Sequence, residues 1–250
     1  MRRYHGREAE IEVGLTPELE DLYTRWLETV PSACRPHFYN LSHQHQIVVL
    51  MEKPLTLEQP PARSPVLPYI QACRTRLRKW LKDTEDVWAQ IACTLPPSLA
   101  EVKLTNADDL IGNVYFTDCV KCETKANDPR DDVRYHEPHA ARCLSDEFAL
   151  MTNAALFITL GDRAWKRIHG LVPPLSPVGR DYQHLRKPPQ ADSGIMDVHG
   201  VLFEHPASTA SGRGMFVIPL TFPGGRPTLR DSYLEYAKEG LAALRAKLHS

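Results

Sequence analysis

No apolar run in the 250-residue sequence approaches the roughly 20 residues needed to span a bilayer. The opening stretch, MRRYHGREAEIEVG, has no apolar core of the kind a signal peptide carries. These two absences argue against a membrane protein and lead to the expectation of a cytoplasmic one. Charge of one sign is also missing: 30 Lys and Arg stand against 31 Asp and Glu, a net charge of −1. No global basic field therefore announces nucleic acid, and any contact with it must come from local clusters. Internal repeats and low-complexity segments are absent, which excludes a solenoid. Disulfides do not persist in a reducing compartment, so the six cysteines require burial or ligation as their explanation.

Hydrophobic content of 42% and charged content of 24% are ordinary for a globular protein. The length suits one α/β domain, expected over residues 1–250 with 1–30 as an N-terminal helical extension. The 21 prolines fall mostly between periodic segments and mark long ordered loops.

Periodicity supplies the elements. Leu19, Leu22, Trp26, Leu27 and Val30 recur at helical spacing after Thr16-Pro17, and Pro31 ends that helix. Gln46 to Met51 reads as a short buried strand opening onto Glu52-Lys53-Pro54-Leu55. The proline-rich loop 58–68 leads into a helix bearing Arg74, Arg76, Arg78, Lys79 and Lys82, a run that serves either as a solvated face or as a phosphate contact. Glu85 to Leu95 is helical, and a strand over 113–118 follows. A helix over Cys143–Ala154, a strand over Ala155–Leu160, a short helix from Asp162 to Ile168, strands at Val201–Phe203 and Met215–Leu220, and a terminal helix over Leu229–Leu248 complete the reading; residues 171–198 and the turn at 211–214 read as loop. Strands alternating with helices predict a three-layer α/β/α sandwich around a central, mainly parallel, four-stranded sheet.

In such sheets ligands bind outside the carboxyl ends of the strands. The most informative strand end is Ile111 to Cys122, where Val114-Tyr115-Phe116 stops at Thr117-Asp118 and two cysteines. Asp118 either serves a site or caps the following turn.

Four strand ends in this order resemble the uracil-DNA glycosylase superfamily, most closely its iron–sulfur branch. The stretches are Met51-Glu52-Lys53-Pro54-Leu55, Thr117-Asp118-Cys119-Val120-Lys121-Cys122, Leu160-Gly161, and Val217-Ile218-Pro219 leading to Phe222-Pro223. They span roughly residues 30–248. The resemblance implies a DNA glycosylase that flips its base out of double-stranded DNA. It assigns Glu52 to the catalytic position, orienting or deprotonating the attacking water and stabilising the positive charge that grows on the sugar.

This sequence departs from the family at informative places. Where the family reads uracil with an Asn amide, position 118 is Asp. An ionised carboxylate only accepts, so Asp118 suits an exocyclic amine such as cytosine N4 rather than uracil O4. Both glycines around Glu52 are lost, and Pro65 stands where a stacking Phe is usual. These changes point to a reshaped pocket and a modified cytosine, such as glucosylated hydroxymethylcytosine in phage DNA. An anti-phage role follows as an expectation. The family histidine of the last motif is replaced by Phe222, and His205, in Glu204-His205-Pro206, is its candidate substitute. Gly224, Gly225, Arg226 and Arg230 form a candidate duplex-contacting loop, or else a plain strand-to-helix turn. Two other readings stay open: a uracil-DNA glycosylase with protonated Asp118, and a catalytically inert DNA-binding relative.

The resemblance also implies a structural metal. Cys34, His37, Cys122 and Cys143 give a Cys₃His set, which chemistry favours as zinc and the family as a [4Fe–4S] cluster. Cys73, Cys93 and Cys119 are then buried thiols; if one of them is the fourth ligand, His37 is a loop histidine. A monomer is expected.

Overall fold

The computed structural model describes residues 15–29, 36–52, 66–95, 104–120, 133–172, 174–178, 192–205, 215–221 and 230–249, with single positions 55, 57, 99, 182, 185, 189 and 190. Helix α1 (Pro17–Thr29) buries Leu19, Leu22, Tyr23 and Trp26, spaced i, i+3, i+4 and i+7 along one face. Pro17 occupies the first turn, where its missing N–H costs nothing, and the Thr16 carbonyl takes the amide of Glu20 at 2.9 Å. The helix proposed as an extension is thus part of the core: Tyr23 stacks on Phe38 with centroids 4.0 Å apart.

Four strands are mainly apolar and buried at every position, as strands covered on both faces must be. They are β1 (Ile47–Met51), β2 (Val114–Asp118), β3 (Leu156–Leu160) and β6 (Met215–Leu220). All run parallel, in the order β2-β1-β3-β6. The sheet is six-stranded rather than four-stranded, because β5 (Phe203–His205) and the two-residue β4 (Ser176–Pro177) add antiparallel beyond β6. β5 begins at Phe203, the residue where the expected strand ended: Val201 and Leu202 are buried without pairing as strand, so apolarity marked burial and not the ladder.

Helices cover both faces. On one, α5 (Val133–Leu150) and α6 (Asp162–Leu171) pack through Phe148 on Phe157 and Trp165 on Phe203. On the other, α2 (Val66–Asp83), α3 (Glu85–Thr94) and α8 (Arg230–His249) lie over the sheet; Trp88 meets Phe116 edge-on, and Gly240 approaches the Gly200 carbonyl and Ile218. A three-layer α/β/α sandwich results. α5 starts ten residues earlier than apolar periodicity indicated and passes through Pro138, because its first half is polar and carries no apolar stripe. Helix α4 (Ala107–Asn113) escaped the sequence reading. Its signal is the cap: the Asn106 side chain accepts the amides of Asp108 and Asp109.

Among the described residues β2 is the edge strand on the parallel side of the sheet, and its outer side needs partners. Asn40 supplies them: its Nδ2 donates to the Phe116 carbonyl at 2.7 Å, and its Oδ1 accepts the Phe116 amide at 2.9 Å. One buried amide side chain thereby completes the ladder in place of a neighbouring strand.

Candidate functional site

The parallel register brings four strand ends into one row. Met51 lies opposite both Asp118 and Leu160, and Leu160 opposite Leu220. Pairing continues past the strands. The amide of Cys119 reaches the Met51 carbonyl at 2.8 Å, that of Val120 the Glu52 carbonyl at 3.3 Å, and that of Gly161 the Leu220 carbonyl at 2.8 Å. Asp118, Glu52, Gly161 and Thr221 therefore stand side by side at the carboxyl edge, where an open α/β sheet places its ligand crevice.

Glu52 reaches sideways across this row. Its Oε1 accepts the backbone amide of Arg163 at 3.1 Å, one of the orphan donors in the first turn of α6. The side chain crosses directly over Gly161, whose φ of +96° and missing Cβ make the passage possible.

Asp118 ends β2 fully buried. Alternation along β2 places it, with Phe116, on the face covered by α2 and α3. Its neighbour is Tyr39, also buried, in the segment between α1 and β1. Burial pushes the Tyr39 phenol well up, and the charge of the Asp118 carboxylate raises it further. His37 Nδ1 lies 3.3 Å from the Tyr39 hydroxyl. Arg74 Nη1 donates to the Tyr39 carbonyl at 2.6 Å and fixes the segment on α2. Burial lowers the Arg74 guanidinium to about 10. At least this member of the basic run is therefore a clamp inside the fold, and Arg78 pairs with Asp108 at 2.5 Å.

The opposite face of β2 carries a second polar group that the sequence did not single out. Glu147 on α5 is buried; its Oε1 accepts from Tyr115 at 2.9 Å and its Oε2 from Thr117 at 2.5 Å. Burial, followed by the Glu147 charge, raises the Tyr115 phenol, and the Tyr23 hydroxyl lies 3.4 Å from that of Tyr115. Two hydroxyl donors on one buried carboxylate fasten β2 to α5.

A histidine does reach the carboxyl edge, but it is His199. It follows α7 (Ile195–Val198), is almost fully buried, and its Nδ1 accepts the Thr221 amide at 3.0 Å. That bond leaves the ring proton on Nε2, so His199 is a donor with its tautomer set by the end of β6. A sequence signal existed only in its proximity to Gly200, whose φ is +76° and whose amide bonds Pro219 at 2.8 Å.

His205 is not brought to this site. It pairs with Met215, the first residue of β6, at the amino edge of the parallel sheet, and its Nδ1 lies 3.0 Å from the Pro174 carbonyl. The antiparallel direction of β5 carries the Glu204-His205 motif away from Glu52. Pro65, Phe222, Gly224, Gly225 and Arg226 lie outside the described residues; Arg230 opens α8, with its side chain outside them.

Of the four metal candidates, His37 and Cys143 are buried, while Cys34 and Cys122 lie outside the described residues. Among the described residues no group of three or more His, Cys, Asp or Glu is placed to hold a metal. His37 faces Tyr39 there. The described residues thus assemble no donor set for zinc or a cluster. Cys73 and Cys119 are buried as expected, but Cys93 is exposed on α3.

No helix among the described residues is long and apolar enough to cross a membrane. No protein-family model matches the chain, and no curated protein matches it. The fold and the site define an open-sheet α/β protein with two carboxylates, Glu52 and Asp118, at the carboxyl ends of adjacent strands.

Proposed function

We propose that the chain is a DNA glycosylase that flips out a modified cytosine-type base and cleaves its N-glycosidic bond, leaving an abasic site in double-stranded DNA, with phage DNA carrying hypermodified cytosine as its target. The observation that supports this reading is the register: Asp118 ends β2 and Glu52 directly follows the adjacent β1, and in this reading one carboxylate serves the sugar and the other the base edge. Glu52, held by the Arg163 amide, orients the attacking water and offsets the charge of the oxocarbenium-like transition state. Asp118, whose charge already acts on the neighbouring Tyr39 phenol, accepts from the exocyclic amine of the base. His199 donates through Nε2 to the departing base, the task for which the last motif lacks its histidine.

The test is a panel of duplexes containing glucosylated hydroxymethylcytosine, hydroxymethylcytosine, cytosine and deoxyuridine, incubated with the protein and then treated with alkali. Strand breaks at a modified cytosine are expected. Glu52→Gln keeps the acceptor for Arg163 but loses the charge, and it should slow release by about 10²-fold or more with an unchanged melting temperature. Cleavage of the deoxyuridine duplex alone would replace the cytosine reading, and no release from any duplex would remove the enzymatic one.

A further inference from the structure

Among the described residues three large apolar side chains are exposed, Leu67 at 38%, Leu248 at 41% and Met196 at 65%. Met196 differs from the others in where it stands and in how firmly its backbone is held. It lies on α7, the four-residue turn that immediately precedes His199. The Ile195 amide donates to Asp162 Oδ1 at 3.0 Å, the Trp165 indole donates to the Ser193 carbonyl at 3.0 Å, and Val198 is completely buried. A turn anchored at three points holds an unbranched, polarisable side chain out into solvent. Hydrophobic burial does not account for this position.

The anchor is also the start of a charged surface. Asp162 is the first residue of α6, and it pairs with Lys166 at 2.6 Å. Lys166 first, then the Ile195 amide, hold its carboxyl below the usual range against a small opposing effect of burial. Asp162, Arg163, Lys166, Arg167, Gly170 and Leu171 line a recess of about 410 Å³ along α6. Three cations against one carboxylate give this recess a net positive charge. It begins at the residue whose amide holds Glu52 and lies beside the turn that presents Met196.

We propose that Met196 is a wedge that enters the base stack of duplex DNA beside the flipped nucleotide, while Arg163, Lys166 and Arg167 take phosphates of the same duplex. The inference rests on the glycosylase reading and gives it a DNA-binding surface on α6 and α7. Extruding a base leaves a gap in the stack, and an apolar side chain inserted there offsets the cost of unstacking. Phosphates on the flanking cations release condensed counterions, which sets the register of the wedge without reading sequence. The chain's overall charge of −1 confines this attraction to local patches such as the α6 recess.

The experiment compares the wild-type chain with Met196→Ala, Met196→Leu and Arg167→Ala. The substrates are a duplex carrying glucosylated hydroxymethylcytosine with 2-aminopurine as its 3′ neighbour, and the same strand unpaired. Met196→Ala should release base from the duplex about tenfold more slowly and lose the 2-aminopurine fluorescence rise, yet act on the single strand like wild type, since an unpaired base leaves no gap to fill. Met196→Leu should restore duplex activity. Arg167→Ala should reduce the slope of log affinity against log salt by about 1. Wild-type behaviour of Met196→Ala on the duplex overturns the wedge, equal losses on duplex and single strand overturn it also, and an unchanged salt slope overturns the phosphate contact. If the wild-type chain releases no base from either substrate, the glycosylase reading fails; the fluorescence rise and the salt slope, measured on the same duplex, then still decide the wedge.

Discussion

Glu52 and Gly161 occupy one another's space: a Cβ built on Gly161 would overlap the carboxyl group and Cγ of Glu52. Gly161 also holds φ at +96°, which side chains of L-residues rarely adopt. Gly161→Ala should therefore fail twice. Backbone strain should lower stability by about 1–3 kcal/mol, read as a lower denaturant midpoint. The methyl group should also push Glu52 off the Arg163 amide, so base release should fall even where the variant is fully folded. A folded Gly161→Ala variant with wild-type release would show that Glu52 does not work from the position it holds.

Asp118→Asn tests the base-reading role with a change of a single atom type. An amide presents a donor where the carboxylate presents only acceptors, so the variant should lose release of the modified cytosine and gain release of uracil. A polar mismatch in a buried site typically costs more than a lost contact, because the groups left behind stay unpaired. The ratio of release rates between cytosine-type and deoxyuridine duplexes is the measurement. Loss of both activities in a folded variant would give Asp118 a structural role.

The parallel sheet was legible because β1, β2, β3 and β6 are buried on both faces, and such strands read as mainly apolar runs. All four end at the residue the sequence predicts, and each of those ends carries or precedes a site position. The helices were legible where one apolar stripe faces the core, as in α1, and illegible where polarity hides the pattern, as in the first half of α5. The site itself was half readable. Glu52 and Asp118 adjoin strand ends, so sequence order placed them. His199 follows residues 171–198, which the sequence reads as loop, and only the Thr221 amide reveals it. Asn40, Tyr39 and Glu147 act on partners 30 or more residues away for which no local spacing exists.

Asn40→Ala tests the edge of the sheet. The substitution strips partners from both the amide and the carbonyl of Phe116 in a buried setting. Two orphaned backbone groups at about 1–3 kcal/mol each make this one of the more damaging single changes available, and it should cut stability by several kcal/mol. Hydrogen exchange should show the loss concentrated in β2, with the Phe116 amide losing most protection. A melting temperature within experimental scatter of wild type would mean that water or a neighbouring chain segment replaces the Asn40 side chain.

His45 gives the fold an acid-sensitive joint. It lies just before β1, 3.2 Å through Nε2 from the Gly112 carbonyl and edge-on to Tyr115. Burial lowers its pKa from the usual 6.5; the accepting carbonyls of Gly112 and Ser42 oppose this, and the charges of Arg74 and His43 add to it. The folded chain therefore binds fewer protons at His45 than the unfolded chain does near that pH. Stability from this group is present above the unfolded value and drains away as pH falls below it, toward the lower folded value. His45→Gln retains a donor for Gly112 but cannot titrate. Its melting temperature should depend less on pH than that of wild type between about 7.5 and 5.5, and parallel curves for the two proteins would place the acid sensitivity elsewhere.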